Sequence, residues 1–453
     1  MIRTPSPVFN RLLDRIAQMP VVDCHEHLKG PERDLAVSSP DPILALSGLY
    51  LISDLWSAGA SDQEIELLQS REASLDDKWP VFSRLWAATQ HTAYARVAKT
   101  VLRDAYGVET VTRASLERVA EQLAKRDSAS YIATIREAGI QAVIADVLFP
   151  WPWERPIRYF ASPVLREFLE GKFPMPDEWR PVFNLPYFHE IRMRDLVDFV
   201  GAVANRSVTC LADYEEAMFG LIQRAKERGV VGLKDQSAYR RVIAYDLPPR
   251  SDAERIFNKL LIDPRNQLAW PEAKPLDDYL FHQFMRFAAQ LDLPVQIHTG
   301  HLANIRNRVQ QANAAHLAPV LELHSRVRFD LFHGNWPYMG DLLFLGKNYP
   351  NVNIDLCWVN MIDPLYAQEL LKRAVMTVPH TKIFGFGGDY FLAPEFSVAH
   401  LKLAREVIAA ALADLVESGW LEEEEATRMA ADWLYNNPNR FYNLGLRPYE
   451  PVD

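Results

Sequence analysis

Short apolar runs alternate with longer amphipathic stretches along the whole chain, and this alternation predicts the fold. Eight of the runs are rich in β-branched residues, and helical periodicity fills most of the sequence between them. Parallel strands need crossover helices and are apolar on both faces. The pattern therefore predicts an α/β fold, a (β/α)₈ TIM barrel. The predicted strands cover residues 21–28, 140–146, 181–185, 230–235, 294–300, 327–334, 352–357 and 382–389.

Helical periodicity is strongest in residues 28–138, between the first two predicted strands. Gly107 and Gly139 stand where helices of this region would end. We therefore expect one barrel domain over residues 1–453 that carries a large helical insertion after strand one. The stretch from Phe149 to Arg158 is rich in Pro and Trp, which is typical of a loop.

Several predicted strands end in a polar side chain that can bind a metal or move a proton. Enzymes with a barrel fold keep their chemistry at the C-terminal ends of the strands. A random distribution would scatter such residues along the strands, so we expect these to meet in one site. They are His25, His27, Lys234, His298, His333 and Asp389.

The pair His25 and His27 suits a metal ion, because residues two apart on a strand share one face. Neutral imidazoles are the commonest metal ligands, although a His-x-His pattern alone also occurs by chance. Asp389 follows two glycines in an apolar run, where an unpaired carboxylate would be costly. A metal bound by His25, His27 and His298 would supply the missing charge, and Asp389 would then serve as ligand and general base.

Lys234 leaves three alternatives open. A protonated ammonium would be repelled by a cation, so the side chain must be neutral, turned toward an anionic substrate, or carboxylated to a carbamate. As a carbamate, it would complete a two-metal site with His298 and His333. The expected cofactor is one or two divalent ions, zinc first, with manganese, iron or cobalt also compatible.

Composition narrows the class of partner. The 453 residues carry a formal net charge of −10 and contain no Lys/Arg-rich run, which argues against nucleic acid and anionic membranes as partners. Three cysteines cannot build a disulfide framework, so a reducing compartment, the cytoplasm, is expected. No apolar segment is long enough to span a membrane. A small-molecule substrate remains, and the sequence leaves open whether the chain forms a homo-oligomer.

Further residues near the predicted strand ends are candidates for substrate binding. Tyr239 and Arg240 lie just beyond strand four, and a guanidinium can hold a substrate carboxylate with two hydrogen bonds. Trp336, Trp358 and Tyr390 follow strands six, seven and eight and would wall a pocket. Ordinary loop packing is the alternative explanation for each of them.

The residues at the strand ends, taken as a set, resemble those of the amidohydrolase superfamily of metal-dependent hydrolases. The helical insertion, with its segment Ile52–Gly59, is similar to the branch that contains uronate isomerase, and this resemblance implies a single zinc-type ion. Uronate isomerases carry an arginine shortly after the strand-eight aspartate, whereas Tyr390 follows Asp389 here. The segment His333–Pro337 is similar to the amidohydrolase-2 group, which includes hydrolases and nonoxidative decarboxylases. The ligands that the uronate isomerase resemblance implies are His25, His27, His298 and Asp389.

The expected function is hydrolysis of an amide, ester or lactone of a small, acidic substrate by metal-activated water. Asp389 would move the proton, and His333 would stabilise the developing oxyanion or bind a second ion. The alternative on the same scaffold is a uronate isomerase-like isomerase or a nonoxidative decarboxylase. A binding protein that uses the metal only structurally is the rival outside enzymes.

Overall fold

The computed structural model describes residues 5–48, 50–149, 164–263 and 265–451. Eight parallel strands in these residues follow one another around the sheet in chain order. The predicted (β/α)₈ TIM barrel is confirmed. The strands are β1 (Val21–Glu26), β2 (Ile140–Ala145), β3 (Trp179–Asn184), β4 (Gly232–Asp235), β5 (Val295–Ile297), β6 (Phe329–Leu331), β7 (Val352–Asp355) and β8 (Ile383–Phe384).

Most strands are shorter than the apolar runs that predicted them. The largest difference is at β8, which covers only Ile383–Phe384 of the predicted residues 382–389. The chain after Phe384 leaves the ladder but still hydrogen-bonds to β1, since the Cys24 amide donates to the Phe386 carbonyl over 3.1 Å. The Asp389 amide donates to the His25 carbonyl over 2.8 Å. These contacts nearly close the barrel and set the segment after β8 beside the end of β1.

Helices fill the chain between β1 and β2, where the insertion was predicted. Gly107 ends one of them in the left-handed conformation, with φ of 65°, as the sequence predicts. The helices up to β2 in the described residues are α1 (Pro7–Ala17), α2 (Pro31–Val37), α3 (Pro42–Ser47), α4 (Leu51–Ser57), α5 (Asp62–Gln69), α6 (Leu75–Thr89), α7 (Ala93–Tyr106), α8 (Arg113–Leu123) and α9 (Ser128–Glu137).

The remaining helices cross over between strands or pack around the barrel. None of the helices in the described residues is long and apolar enough to cross a lipid bilayer. Of the loop predicted from Phe149 to Arg158, only Phe149 lies within the described residues. The later helices are α10 (Val164–Leu169), α11 (Pro186–His189), α12 (Arg194–Ala204), α13 (Leu211–Glu227), α14 (Arg250–Ile262), α15 (Trp270–Gln290), α16 (Ala318–Leu323), α17 (Met339–Asn348), α18 (Val359–Ile362), α19 (Pro364–Thr377), α20 (Pro394–Glu417), α21 (Glu423–Ala431) and α22 (Asn437–Phe441).

The insertion has its own apolar core, and this core includes residues of the barrel. Phe332, Trp358 and Tyr390, which follow β6, β7 and β8, pack in one cluster with the helices α3 to α8. A large apolar side chain contributes about 1.5–3 kcal/mol when it is fully buried, so this shared cluster holds the insertion firmly on the barrel. The insertion therefore packs against the C-terminal ends of these strands, where the predicted site residues lie.

Candidate active site

Two buried carboxylates of β1 hold the segment that carries Asp389. The Gly388 amide donates to Asp23 Oδ1 over 2.9 Å, and the Tyr390 amide donates to Glu26 Oε2 over 2.7 Å. The backbone of Asp389 is left-handed, with φ of 60°, and the Tyr50 hydroxyl donates to its carbonyl oxygen. These bonds fix the backbone on both sides of Asp389, so its carboxylate is aimed by β1 itself.

The carboxylate of Asp389 lies against the two histidines of β1. Its Oδ1 is 3.4 Å from His25 Nε2 and 3.2 Å from His27 Nε2. The register between β1 and β2 is irregular between Asp23 and Glu26, and such irregularities re-aim side chains. Ligand atoms of His25, His27 and Asp389 all lie within 4.8 Å of one another, which is compact enough for one metal ion. The predicted convergence of these three residues is present in the structure.

His298 and His333 form a second pair of imidazoles beside this group. His333 Nε2 lies 3.1 Å from His298 Nδ1 and 4.0 Å from Asp389 Oδ2. His298 Nε2 faces the carbonyl oxygen of His301 at 2.8 Å, and His333 Nδ1 faces that of Cys357 at 3.0 Å. A second compact group in the described residues joins His333, Cys357 and Asp389. His298 belongs to neither group, so its role as a ligand stays a prediction.

Lys234, at the end of β4, is buried beside the histidines. Only 1% of the residue is exposed, and Nζ has no hydrogen-bond partner in the described residues. The Nζ atom lies 3.8 Å from the centre of the Phe332 ring. Burial lowers the pKa of Lys234, which favours the neutral amine. A neutral amine is the form that carbon dioxide can convert to a carbamate, so two of the three sequence-based alternatives, neutral and carboxylated, fit this environment best.

Burial and neighbouring charges set the pKa values of the imidazoles. Burial lowers the pKa of His25 and His298 well below the usual range, and Lys234 lowers it further whenever its amine is protonated. Burial and the neighbouring His298 do the same to the pKa of His333. For His27, burial is outweighed by Asp389 and Asp146, which raise the pKa. The three histidines with a lowered pKa, His25, His298 and His333, are neutral at pH 7, which is the state that binds a metal ion.

A cavity of about 300 Å³ opens onto this group. Tyr239 lines it, and the Tyr239 hydroxyl accepts a hydrogen bond from the Ala303 amide over 3.1 Å. Arg240 does not line the cavity in the described residues; its guanidinium instead pairs with Glu190 over 3.0 Å. The cavity size matches a small-molecule ligand. Among the lining residues are His25, His27, Asp146, Lys234, His298 and Asp389.

The three aromatic residues predicted as pocket walls lie behind the cavity rather than in its described lining. Trp358 is fully buried, and its ring centre is 5.0 Å from that of His333. Tyr390 is buried and donates its hydroxyl to the sulfur of Met361 over 3.1 Å. Trp336 is half-buried and packs 5.3 Å from the His301 ring. Trp358 therefore supports a site histidine, and the predicted substrate contacts of all three stay predictions.

Some site residues were not singled out from the sequence. Asp146 follows β2, lines the cavity, and presents its carbonyl oxygen 3.1 Å from His27 Nδ1. The sequence could have indicated Asp146 as a site residue, because it follows an apolar run in the same way as the other strand-end residues. The positioning carboxylates Asp23 and Glu26 carried only a weak signal, since they interrupt an apolar strand. Tyr50 lies in the insertion, and nothing in its local sequence indicates a site.

The donor set fits a divalent metal ion. His25 is buried, and its Nδ1 has no hydrogen-bond partner in the described residues, so a costly unsatisfied polar atom lies beside the carboxylate group. Two imidazoles and a carboxylate are the ligands that zinc and other borderline ions prefer. His25, His27 and Asp389 would hold the ion, with His298 or His333 reaching it from the opposite wall.

Gly300 sets the spacing between the loops that carry His298 and His333. A Cβ atom there would lie 2.6 Å from backbone atoms of Asn335 and Trp336, and φ is +69°. We expect Gly300→Ala to lower the free energy of unfolding by about 3–5 kcal/mol, because backbone cannot move aside cheaply. Gly419→Ala is the matched control, since its φ is +73° and nothing lies within 4 Å. The control should cost only about 1 kcal/mol. Urea denaturation measures both, and equal losses would contradict this account of Gly300.

The chain matches a known protein family. The family model described as amidohydrolase matches residues 193–444, which is more than half of the chain. The chain belongs to the amidohydrolase family. The resemblance noted from the strand-end residues is thereby confirmed. The matched part of the chain includes Lys234, His298, His333 and Asp389, whereas the His25–His27 pair lies before it.

Curated relatives match only parts of this chain. Protein fluG of Emericella nidulans is 30% identical over 230 residues, covering 48% of this chain and 26% of that protein. A uronate isomerase of Xanthomonas euvesicatoria pv. vesicatoria is 30% identical over 146 residues, covering 31% of this chain and 30% of that protein. The chain therefore matches less than a third of the length of either relative.

A solved structure shares the whole fold. The uronate isomerase of Thermotoga maritima superposes with a TM-score of 0.74 over 97% of this chain and 98% of that one, at 14% identity. At this identity, the likeness shows the fold and not the reaction.

Proposed function

We propose that this amidohydrolase is a metal-dependent hydrolase that cleaves an amide, ester or lactone bond of a small, acidic substrate. The observation that carries the proposal is the buried, unpartnered amine of Lys234 in the same cavity as the His25, His27 and Asp389 group. A buried polar atom without a partner is costly, so its retention points to a ligand or a modification. The positive charge that would attract an anionic substrate comes from His27, whose pKa is raised, and from a divalent ion when one is bound.

Each residue of the group has a role in this reaction. A divalent ion held by His25, His27 and Asp389 would polarise the substrate carbonyl and acidify a water molecule. Asp389 accepts the proton of the attacking water and returns it to the leaving group, because its carboxylate faces the cavity. His333 Nε2 lies 4.0 Å from Asp389 Oδ2. Because the Nδ1 hydrogen of the neutral ring faces the Cys357 carbonyl oxygen, Nε2 carries a lone pair and would serve as a ligand to a second ion. Lys234, as neutral amine or carbamate, completes the wall on the β4 side.

A second candidate is isomerisation of a uronate. The 30% identity to the Xanthomonas uronate isomerase over 146 residues favours it, and the fold shared with the Thermotoga enzyme is compatible with it. The compact group also suits a single ion, which such a reaction would need to bind a hydroxy-ketone. Against it stands the sequence after Asp389, where Tyr390 occupies a position near which the resemblance leads us to expect an arginine.

Turnover in heavy-oxygen water separates the two reactions. We expect the zinc-loaded protein to hydrolyse at least one member of a panel of acidic amides, esters and lactones, with one solvent oxygen appearing in the product carboxylate by mass spectrometry. Chelation should abolish this activity, and added zinc should restore it. Conversion of D-glucuronate or D-galacturonate to the ketose, and no hydrolysis across the panel, would replace hydrolysis by isomerisation.

A further inference from the structure

A second cavity of about 250 Å³ adjoins the site cavity. Gly48, Gln69 and Phe391 line both, so the two spaces meet at these residues. The second cavity lies between the start of the insertion and the segment after Asp389. Much of its wall is apolar, formed by Val37, Leu44, Ala45, Phe391, Leu392 and Ala393.

Two arginines also line the second cavity, and they differ in their partners. Arg126 pairs with Glu395, and it donates a hydrogen bond to the Tyr106 hydroxyl over 2.6 Å, so its charge is already compensated. Arg71 donates from Nη2 to the Val37 carbonyl oxygen over 2.6 Å. In the described part of the chain, Arg71 has no ion pair with a carboxylate, and its remaining donors are available to an anion.

We infer that the substrate is an elongated molecule with two anionic ends, which occupies both cavities at once. Its reacting end lies against His25, His27 and Asp389, its apolar middle passes Phe391, and its second carboxylate binds Arg71. This inference rests on the proposed function for the position of the reacting end. It narrows the substrate class, because a compact monoacid would fill the first cavity and leave Arg71 without an anionic partner.

Binding of simple dicarboxylates to the zinc-loaded protein tests the inference without turnover. Isothermal titration calorimetry with glutarate, pimelate and azelate varies the distance between two carboxylates. Nonanoate has the chain length of azelate and only one carboxylate. We expect azelate to bind about three- to tenfold more tightly than either glutarate or nonanoate. The difference is the contribution of one charge-assisted hydrogen bond between the second carboxylate and the exposed guanidinium of Arg71.

Variants locate the second carboxylate. Arg71→Met should remove the preference for azelate, and Arg71→Lys should retain most of it. Arg118→Met is the matched control, because Arg118 is exposed on α8 and does not line the described cavities. Ala45→Phe should also remove the preference, because the larger side chain fills space in the second cavity. This variant leaves Arg71 and its hydrogen bond to Val37 in place. Melting temperatures of all variants report whether folding is retained.

The outcomes separate this inference from the proposed reaction. Equal affinity for azelate, glutarate and nonanoate, or an azelate preference that survives both Arg71→Met and Ala45→Phe, would overturn the inference even if the protein hydrolyses acidic amides. A preference that depends on Arg71 and Ala45 would support the inference, and if that protein hydrolysed nothing, only the proposed reaction would fail.

Discussion

The variant Asp389→Asn is expected to lose about 10³-fold in kcat. The neutral amide can neither accept the proton of the attacking water nor neutralise part of the positive charge of the metal ion. The carboxylate contacts both His25 and His27, and the Tyr390 and Gly388 amides hold its backbone through β1, so the isosteric side chain should stay in place. Asp252→Asn, in the first turn of α14 and outside the lining of both described cavities, is the matched control and should keep full activity.

Calorimetric binding of a product carboxylate to Asp389→Asn separates an enzyme from a binding protein. For an enzyme, we expect turnover to disappear while affinity for the product changes much less. Full hydrolytic activity in Asp389→Asn would contradict the role of Asp389 as general base. If no substrate is turned over by the wild-type protein and affinity is unchanged in the variant, the protein uses this site only for binding.

Substitution of Lys234 by methionine is expected to change activity and stability in opposite directions. The Nζ atom is buried without a partner, so Lys234→Met should raise the free energy of unfolding of the metal-free protein by about 1–3 kcal/mol. Hydrolysis should fall by about 10- to 100-fold, since the wall beside the metal ligands loses its only amine at β4. Chemical denaturation and steady-state kinetics measure the two effects.

Lys78→Met is the matched comparison, because Lys78 is also fully buried but has partners. Its ammonium pairs with Asp41 and donates to the carbonyl oxygen of Ser70. Removing one partner of a buried pair is expected to lower the free energy of unfolding by about 3–5 kcal/mol. A Lys234→Met protein that is destabilised as strongly as Lys78→Met would contradict the unpartnered state of Lys234.

The fold could be predicted from the sequence because its strongest signals are local. Parallel strands buried on both faces give continuous apolar runs, and strand-end residues such as His333 and Asp389 then fall at one end of the barrel by topology alone. Strand lengths were less accurate, since the residues after Phe384 are buried whether or not they remain in the ladder. The single-domain boundaries stay a prediction.

The parts of the site that the sequence did not indicate depend on contacts between distant segments. Tyr50 reaches Asp389 only because the insertion packs over the barrel, and Glu26 holds Tyr390 across the closure of the sheet. The position of Arg240 after a site lysine suggested a substrate contact, but whether its guanidinium meets substrate or Glu190 depends on the loop after β3. Such pairings leave no periodic or local pattern in the sequence.

Metal content per chain tests the central claim most directly, when it is combined with an intact mass measured gently enough to keep a carbamate on Lys234. For protein purified without chelator, we predict at least one equivalent of a divalent ion, zinc first, that is lost in the double variant His25→Ala and His27→Ala. Two equivalents with the added mass of one carbon dioxide would extend the site to Lys234. Protein that binds no divalent ion tightly, or a double variant that retains the full metal content, would contradict a metal centre built on His25, His27 and Asp389.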